Sequence, residues 1–232
     1  MYAHLDDDLA RKPQAHEGRH PLPEPDAFAQ TLGRLGIGPE DRIVAYDDAG
    51  GAIAARLWWM LGWIGHEARW LLDGGLTAWQ AAGYGLEAGA CQRPPVTWPA
   101  VTGNDQLIAT TAQVSHGVGT LLDARAAPRF RGEAEPIDPV AGHVPGAANL
   151  PFDALLGPDR CFLPQRDLQN AFAAALPDHG GRDSTVTTMC GSGVTACHLL
   201  AGLAILGRSG KLYAGSWSEW IRDPARAVAT HD

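Results

Sequence analysis

The chain has 232 residues, 45% of them hydrophobic and 19% charged, and a formal net charge of -8. That length fits one large domain or two small ones, with a globular composition. The acidic balance argues against a nucleic-acid partner, which would want a basic face.

The four cysteines, Cys91, Cys161, Cys190 and Cys197, form no C-x-x-C pair and no Cys/His spacing suited to zinc. A reducing, cytoplasmic setting is expected. The longest apolar runs, residues 57–65 and 199–207, are about half of what a bilayer-crossing helix needs. The opening residues 1–8 carry Asp6, Asp7 and Asp8 and no apolar core, unlike a signal peptide.

In chain order, Arg42-Ile-Val-Ala-Tyr46 reads as a short strand. It is followed by Asp47-Asp-Ala-Gly-Gly51, a helix-like stretch to Gly62, a segment at 68–72 and Asp73-Gly-Gly-Leu-Thr-Ala-Trp79. A Pro-rich stretch holding Pro94, Pro95 and Pro99 predicts a linker at 93–104, between units at 1–92 and 105–232. The second unit is expected to place a strand at 120–123, a helix at 166–176, a strand at 185–189 and a helix at 194–206. Ser216 and Glu219 have the spacing of a capping box for a last short helix. The two units overlay: Asp47 matches Cys190, Gly65 matches Gly207 and Trp79 matches Trp220, at offsets of 143, 142 and 141 residues. This is domain duplication. Short β-branched strands alternating with helices predict an α/β fold, each unit a mainly parallel sheet with helices on both faces.

The sharpest chemical signal is Met189-Cys-Gly-Ser-Gly-Val-Thr-Ala196. A strand ends, a small-residue loop turns and a helix begins. Glycines let successive amides point into one concavity, and the helix adds the positive end of its dipole. A cysteine heading such a loop is held towards thiolate, and the same nest would cradle a sulfane sulfur. The competing reading is a small core residue, which suits Cys197 better than Cys190. Cys91 and Cys161 are assigned nothing. Phosphatases built on a cysteine loop need an arginine six residues on to clamp phosphate; that position here is Ala196.

The loop Cys190-Gly-Ser-Gly-Val-Thr-Ala196 resembles that of 3-mercaptopyruvate sulfurtransferases in the rhodanese superfamily. So do Asp123-Ala-Arg125, Arg129-Phe-Arg-Gly132, Gly142-His-Val-Pro-Gly-Ala147 and Gly215-Ser-Trp-Ser-Glu-Trp220. Tyr46-Asp-Asp-Ala-Gly50, Arg56-Leu-Trp-Trp59 and Leu72-Asp-Gly-Gly-Leu76 resemble the family's non-catalytic first domain, with Asp47 in the cysteine position. The resemblance implies two rhodanese-like domains with the active site between them. Cys190 would carry a persulfide, and Gly191, Gly193, Val194 and Thr195 would form the cradle around it. Arg129 would bind the anionic donor, and Ser192, His20 and Asp8 would form a proton relay. No metal or organic cofactor is implied. The acceptor would be a thiol, such as thioredoxin or a small thiol, or cyanide in vitro.

Two departures stand out. Mercaptopyruvate enzymes carry a second arginine shortly after the Arg-Phe-Arg-Gly segment, where this chain has Asp138. Thiosulfate enzymes carry Arg and Lys directly after the cysteine, where this chain has Gly191 and Ser192. A doubly charged donor wants those cations, so mercaptopyruvate ranks first and thiosulfate second. A sulfur-carrying binding module without turnover is the rival from another class. The first unit lacks a counterpart of residues 120–147, so the chain is expected to be a fragment or to have a misassigned start.

Overall fold

The computed structural model describes residues 1–89, 91–117, 119–176 and 185–231. The first half contains α1 (Leu5–Asp8), α2 (Pro25–Arg34), β1 (Ile43–Ala45), α3 (Ala54–Trp63), β2 (Arg69–Leu71) and α4 (Gly75–Ala81). Pro25 opens α2, where its fixed φ suits a first helical turn. Phe28 and Leu32, four residues apart, bury one stripe of that helix. β1 and β2 pair in parallel, with Val44 opposite Trp70. Both side chains are about half exposed, at 52% and 50%, so one face of this two-stranded sheet stands open.

Residues 91–104 carry no regular structure, yet the segment is not a loose tether. Val96 N–H donates to Gly33 O at 2.9 Å and Asn104 N–H to Trp63 O at 2.9 Å. Trp98 Nε1 donates to Ile37 O at 2.6 Å. These bonds strap the segment to the first half.

The second half contains α5 (Thr111–His116), β3 (Thr120–Asp123), α6 (Ala127–Phe130), β4 (Ala148–Asn149), α7 (Gln165–Ala175), β5 (Val186–Met189), α8 (Ala196–Ile205), β6 (Gly210–Leu212) and α9 (Ser216–Trp220). Its four strands are all parallel, in the order β4-β3-β5-β6. Every residue of β3 and β5 is buried, as expected of central strands covered on both faces.

The equivalent helices α3 and α8 pack against each other. α8 is buried continuously from Ala196 to Leu203. Trp59, Met60 and Leu61 join Leu199, Leu200, Leu203 and the sheet residues Leu122 and Val186 in one apolar cluster. Each such fully buried side chain contributes about 1.5–3 kcal/mol. The two halves therefore share a core and are held in fixed register.

The expected capping box does not form. Ser216 sits at φ +54°, and Gly215 rather than Ser216 precedes the first turn of α9. The Ser216 hydroxyl is already engaged, accepting from Cys190 N–H and donating to Tyr213 O. The Glu219 carboxylate instead accepts the Thr111 hydroxyl.

Candidate active site

β5 delivers Cys190 to the junction of the two halves with 2% of its surface exposed. Its Sγ accepts the Gly193 N–H at 3.1 Å. Gly193 has φ +78°, and a Cβ there would lie 2.5 Å from Ala214 O, so only glycine turns the loop this tightly. The start of α9 seats the loop. Ser216 Oγ takes the Cys190 N–H at 3.1 Å. Trp217 and Ser218 N–H donate to Cys190 O and Gly191 O at 3.0 and 2.9 Å. Val194 is buried, and Thr195, half-buried, precedes α8 without a side-chain cap. Cys197 is fully buried, donates to Gly193 O at 3.4 Å, and has its thiol pushed up to about 12 by that burial. It is a packing residue.

A polar chain reaches the loop from the first half. His20 Nδ1 lies 2.7 Å from Ser192 Oγ, and His20 Nε2 lies 3.0 Å from Asp6 Oδ1. A carboxylate only accepts, so Nε2 carries the proton and Nδ1 is free to accept from the hydroxyl. Burial pushes the His20 imidazole below its ordinary value, against the opposing pull of Asp6. The ring is therefore neutral at pH 7 and able to take a proton.

The structure does not bring Asp8 to His20. Asp8 accepts His4 N–H at 2.8 Å and lies 3.8 Å from Arg34. Two residues along a helix is about 200° around its axis, so Asp6 and Asp8 point to different sides. Three successive aspartates gave the sequence no means of choosing between them.

On the other side of the loop Arg19 and Arg129 meet Glu135 and Asp138, with Arg125 behind them at 3.4 Å from Glu135. Glu135 grips Arg129 through Nε at 3.0 and 3.1 Å and Nη2 at 2.7 Å. Asp138 accepts from Arg129 Nη2 at 3.1 Å and also pairs closely with Arg19. Burial works to raise the Glu135 carboxyl, but Arg129 and the amides of Asp138 and Ile137 hold it below its ordinary value. Asp138 is raised, chiefly by burial, with Glu135 adding to it. Arg19 was not anticipated from the sequence. The available signal was Gly18: a Cβ there would meet Gly215 O at 2.4 Å, which marks close packing of this segment on α9.

Arg56 was also missed, although an arginine inside the apolar run of α3 was visible. It is fully buried and has no carboxylate partner among the described residues. It donates to Gly193 O at 3.0 Å, His20 O at 3.0 Å and Leu9 O at 3.3 Å, tying the relay segment to the cysteine loop. In the first half the loop that begins at Asp47 has the same design. Asp47 Oδ1 accepts Ala49 and Gly51 N–H at 2.9 and 2.7 Å, and Oδ2 accepts Ile53 and Ala54 N–H at 2.8 Å each.

A strand–loop–helix cysteine cradle, duplicated with an aspartate in the sister copy, sets the chain beside known proteins. The profile of the Rhodanese-like domain matches residues 4–82 and 105–223. The "Probable 3-mercaptopyruvate sulfurtransferase" of Pseudomonas aeruginosa is 50% identical over 220 residues, covering 93% of this chain and 77% of that protein. "Thiosulfate/3-mercaptopyruvate sulfurtransferase 2" of Arabidopsis thaliana is 34% identical over 233 residues, covering 89% of this chain and 67% of that one. The solved 3-mercaptopyruvate sulfurtransferase from Leishmania major superposes with a TM-score of 0.80 at 32% identity, over 94% of this chain; the chain spans 61% of that protein. The chain belongs to the rhodanese family, as an α/β sulfurtransferase with two rhodanese-like domains. Such an enzyme takes sulfur from a small-molecule donor and passes it to a thiol acceptor. No helix among the described residues is long and apolar enough to cross a membrane.

Proposed function

We propose that the chain moves a sulfane sulfur from 3-mercaptopyruvate, through a persulfide on Cys190, to a thiol acceptor or cyanide. The single observation that carries this reading is the Gly193 N–H aimed at Cys190 Sγ at 3.1 Å, which stabilises negative charge on that sulfur. Thiolate Cys190 attacks the donor sulfur. The S–S bond forms as the C–S bond breaks, and the electron pair passes to carbon as the enolate of pyruvate. A proton completes pyruvate, and Ser192, backed by His20 and Asp6, is the route for moving that proton. Arg129 holds the donor's anionic end. Cyanide or a thiolate then attacks the outer sulfur, leaving as thiocyanate or a new persulfide and returning Cys190 to thiolate. Thioredoxin or a small thiol is the proposed acceptor, and the cytoplasm the proposed setting.

The test compares pyruvate release from 3-mercaptopyruvate with sulfite release from thiosulfate, using cyanide as acceptor. Mass spectrometry after donor alone should find one added sulfur atom on the Cys190 peptide. A better kcat/KM with thiosulfate, or no sulfur on Cys190, overturns the reading.

A further inference from the structure

We infer that Arg19, 171 residues before the nucleophile, is the second half of a carboxylate-binding fork that seats the donor over Gly191. This rests on the sulfur-transfer reading above and names a donor-binding residue for it.

The geometry starts at Gly191. A Cβ on that glycine would lie 2.8 Å from Arg19 Nη2 and 3.6–3.7 Å from Arg129 Nη2 and Nη1. Two guanidiniums from opposite ends of the chain thus converge on the residue next to Cys190. Their anchors lie behind them: the Asp138 and Glu135 side chains are 3% and 4% exposed, whereas those of Arg19 and Arg129 are 29% and 17% exposed. Asp138 engages Arg19 through Nη1, and Glu135 and Asp138 engage Arg129 through Nε and Nη2. Arg19 Nη2 and Arg129 Nη1 have no hydrogen-bond partner among the described residues. Each arginine therefore keeps an unspent N–H edge on the side of the loop, fixed by a carboxylate on the other side.

Two such edges match the two oxygens of a planar carboxylate. Asp138 and Glu135 offset Arg19 and Arg129, and the adjoining Arg125, which also reaches Glu135 at 3.4 Å, is paired with Asp123, so the cluster offers directed hydrogen bonds without net positive charge. That favours a singly charged carboxylate over a dianion. It also accounts for Gly191, since any side chain there would fill the space between the fork and the nucleophile.

Steady-state kinetics of Arg19→Gln, Arg19→Lys and Asp138→Asn with 3-mercaptopyruvate and cyanide test this, with pyruvate as an unreactive competitor. Loss of a charged hydrogen bond predicts that Arg19→Gln raises KM for 3-mercaptopyruvate and Ki for pyruvate together by about tenfold or more. The same variant should leave kcat within about threefold of the unmodified chain. Arg19→Lys keeps the charge without the fork and should fall between; it decides the matter if the glutamine variant does not fold. Asp138→Asn, which unanchors Arg19, should raise both constants less than Arg19→Gln does. KM and pyruvate Ki within about twofold of the unmodified chain in Arg19→Gln and Arg19→Lys would overturn the fork while leaving the sulfur-transfer reading intact. No turnover of 3-mercaptopyruvate by the unmodified chain would instead sink that reading.

Discussion

Asp47 and Cys190 head the same loop in two copies: each follows a parallel strand and precedes one of the paired helices α3 and α8. In the first copy four backbone amides close on the Asp47 carboxylate. In the second the Gly193 amide points at the Cys190 sulfur. The first loop thus encloses a built-in anion at the position where the second presents its sulfur.

Asp47→Ala should cost about 2–3 kcal/mol, because charged hydrogen bonds are lost and their amides left unpaired. Burial opposes ionisation of Asp47, but the amides of Ala54, Gly51, Ile53 and Ala49 prevail and hold its carboxyl below the ordinary value. The folded state therefore binds its proton less readily than the unfolded chain. The contribution is complete above the unfolded value of about 4 and is lost as pH falls through the lower folded one. Urea midpoints of the unmodified chain and the variant should differ at pH 7 and converge towards pH 3. A constant gap would count against the assignment.

The relay predicts a pH signature. In the proposed relay neutral His20 is the active form, and its value lies below the ordinary 6.5. Log kcat/KM should therefore fall on the acid side with an inflection below 6.5. Asp6→Asn removes the group that pulls His20 upward, so the inflection should move lower still while the rate drops. Asp8→Asn should leave the profile in place. A shift with the Asp8 variant and none with Asp6→Asn would reverse the pairing.

The two buried thiols should separate cleanly. Cys190→Ser should abolish transfer with the fold intact by circular dichroism. Cys197→Ser should retain most activity, since that thiol is held protonated by burial up to about 12. Sulfur loading from 3-mercaptopyruvate should mark the Cys190 peptide alone.

Gly193→Ala should damage both fold and rate. The residue's left-handed backbone alone costs about 1–2 kcal/mol with a side chain, before its approach to Ala214 O is counted. Gly65→Ala, also at positive φ but in open space, carries only the backbone penalty. If calorimetry ranks the two equally, contact with Ala214 is not what fixes the loop.

Much of this was legible in sequence because it is local. The strand at Thr120–Asp123, the loop after Met189 and the helix after it follow from residue type and spacing over a dozen positions. What the sequence concealed depends on where distant segments land. Arg19 gains meaning only through its contact with Asp138, and Arg56 only through the three carbonyls it spans. The choice of Asp6 over Asp8 turns on the rotation of one short helix. Ser216 looked like a helix cap because its spacing to Glu219 was right; its hydroxyl had been claimed by Cys190 N–H and Tyr213 O.

The way α9 seats the cysteine loop makes the site depend on segments from both ends of the chain. His20 leaves the ribosome 172 residues before Ser192, and the residues that fasten the loop, Ser216 to Ser218, come after both. The surroundings of Cys190 therefore assemble only when segments lying on both sides of it in the sequence pack together, so removing the stretch that holds Ser216 to Ser218 should leave the cysteine loop without its anchors.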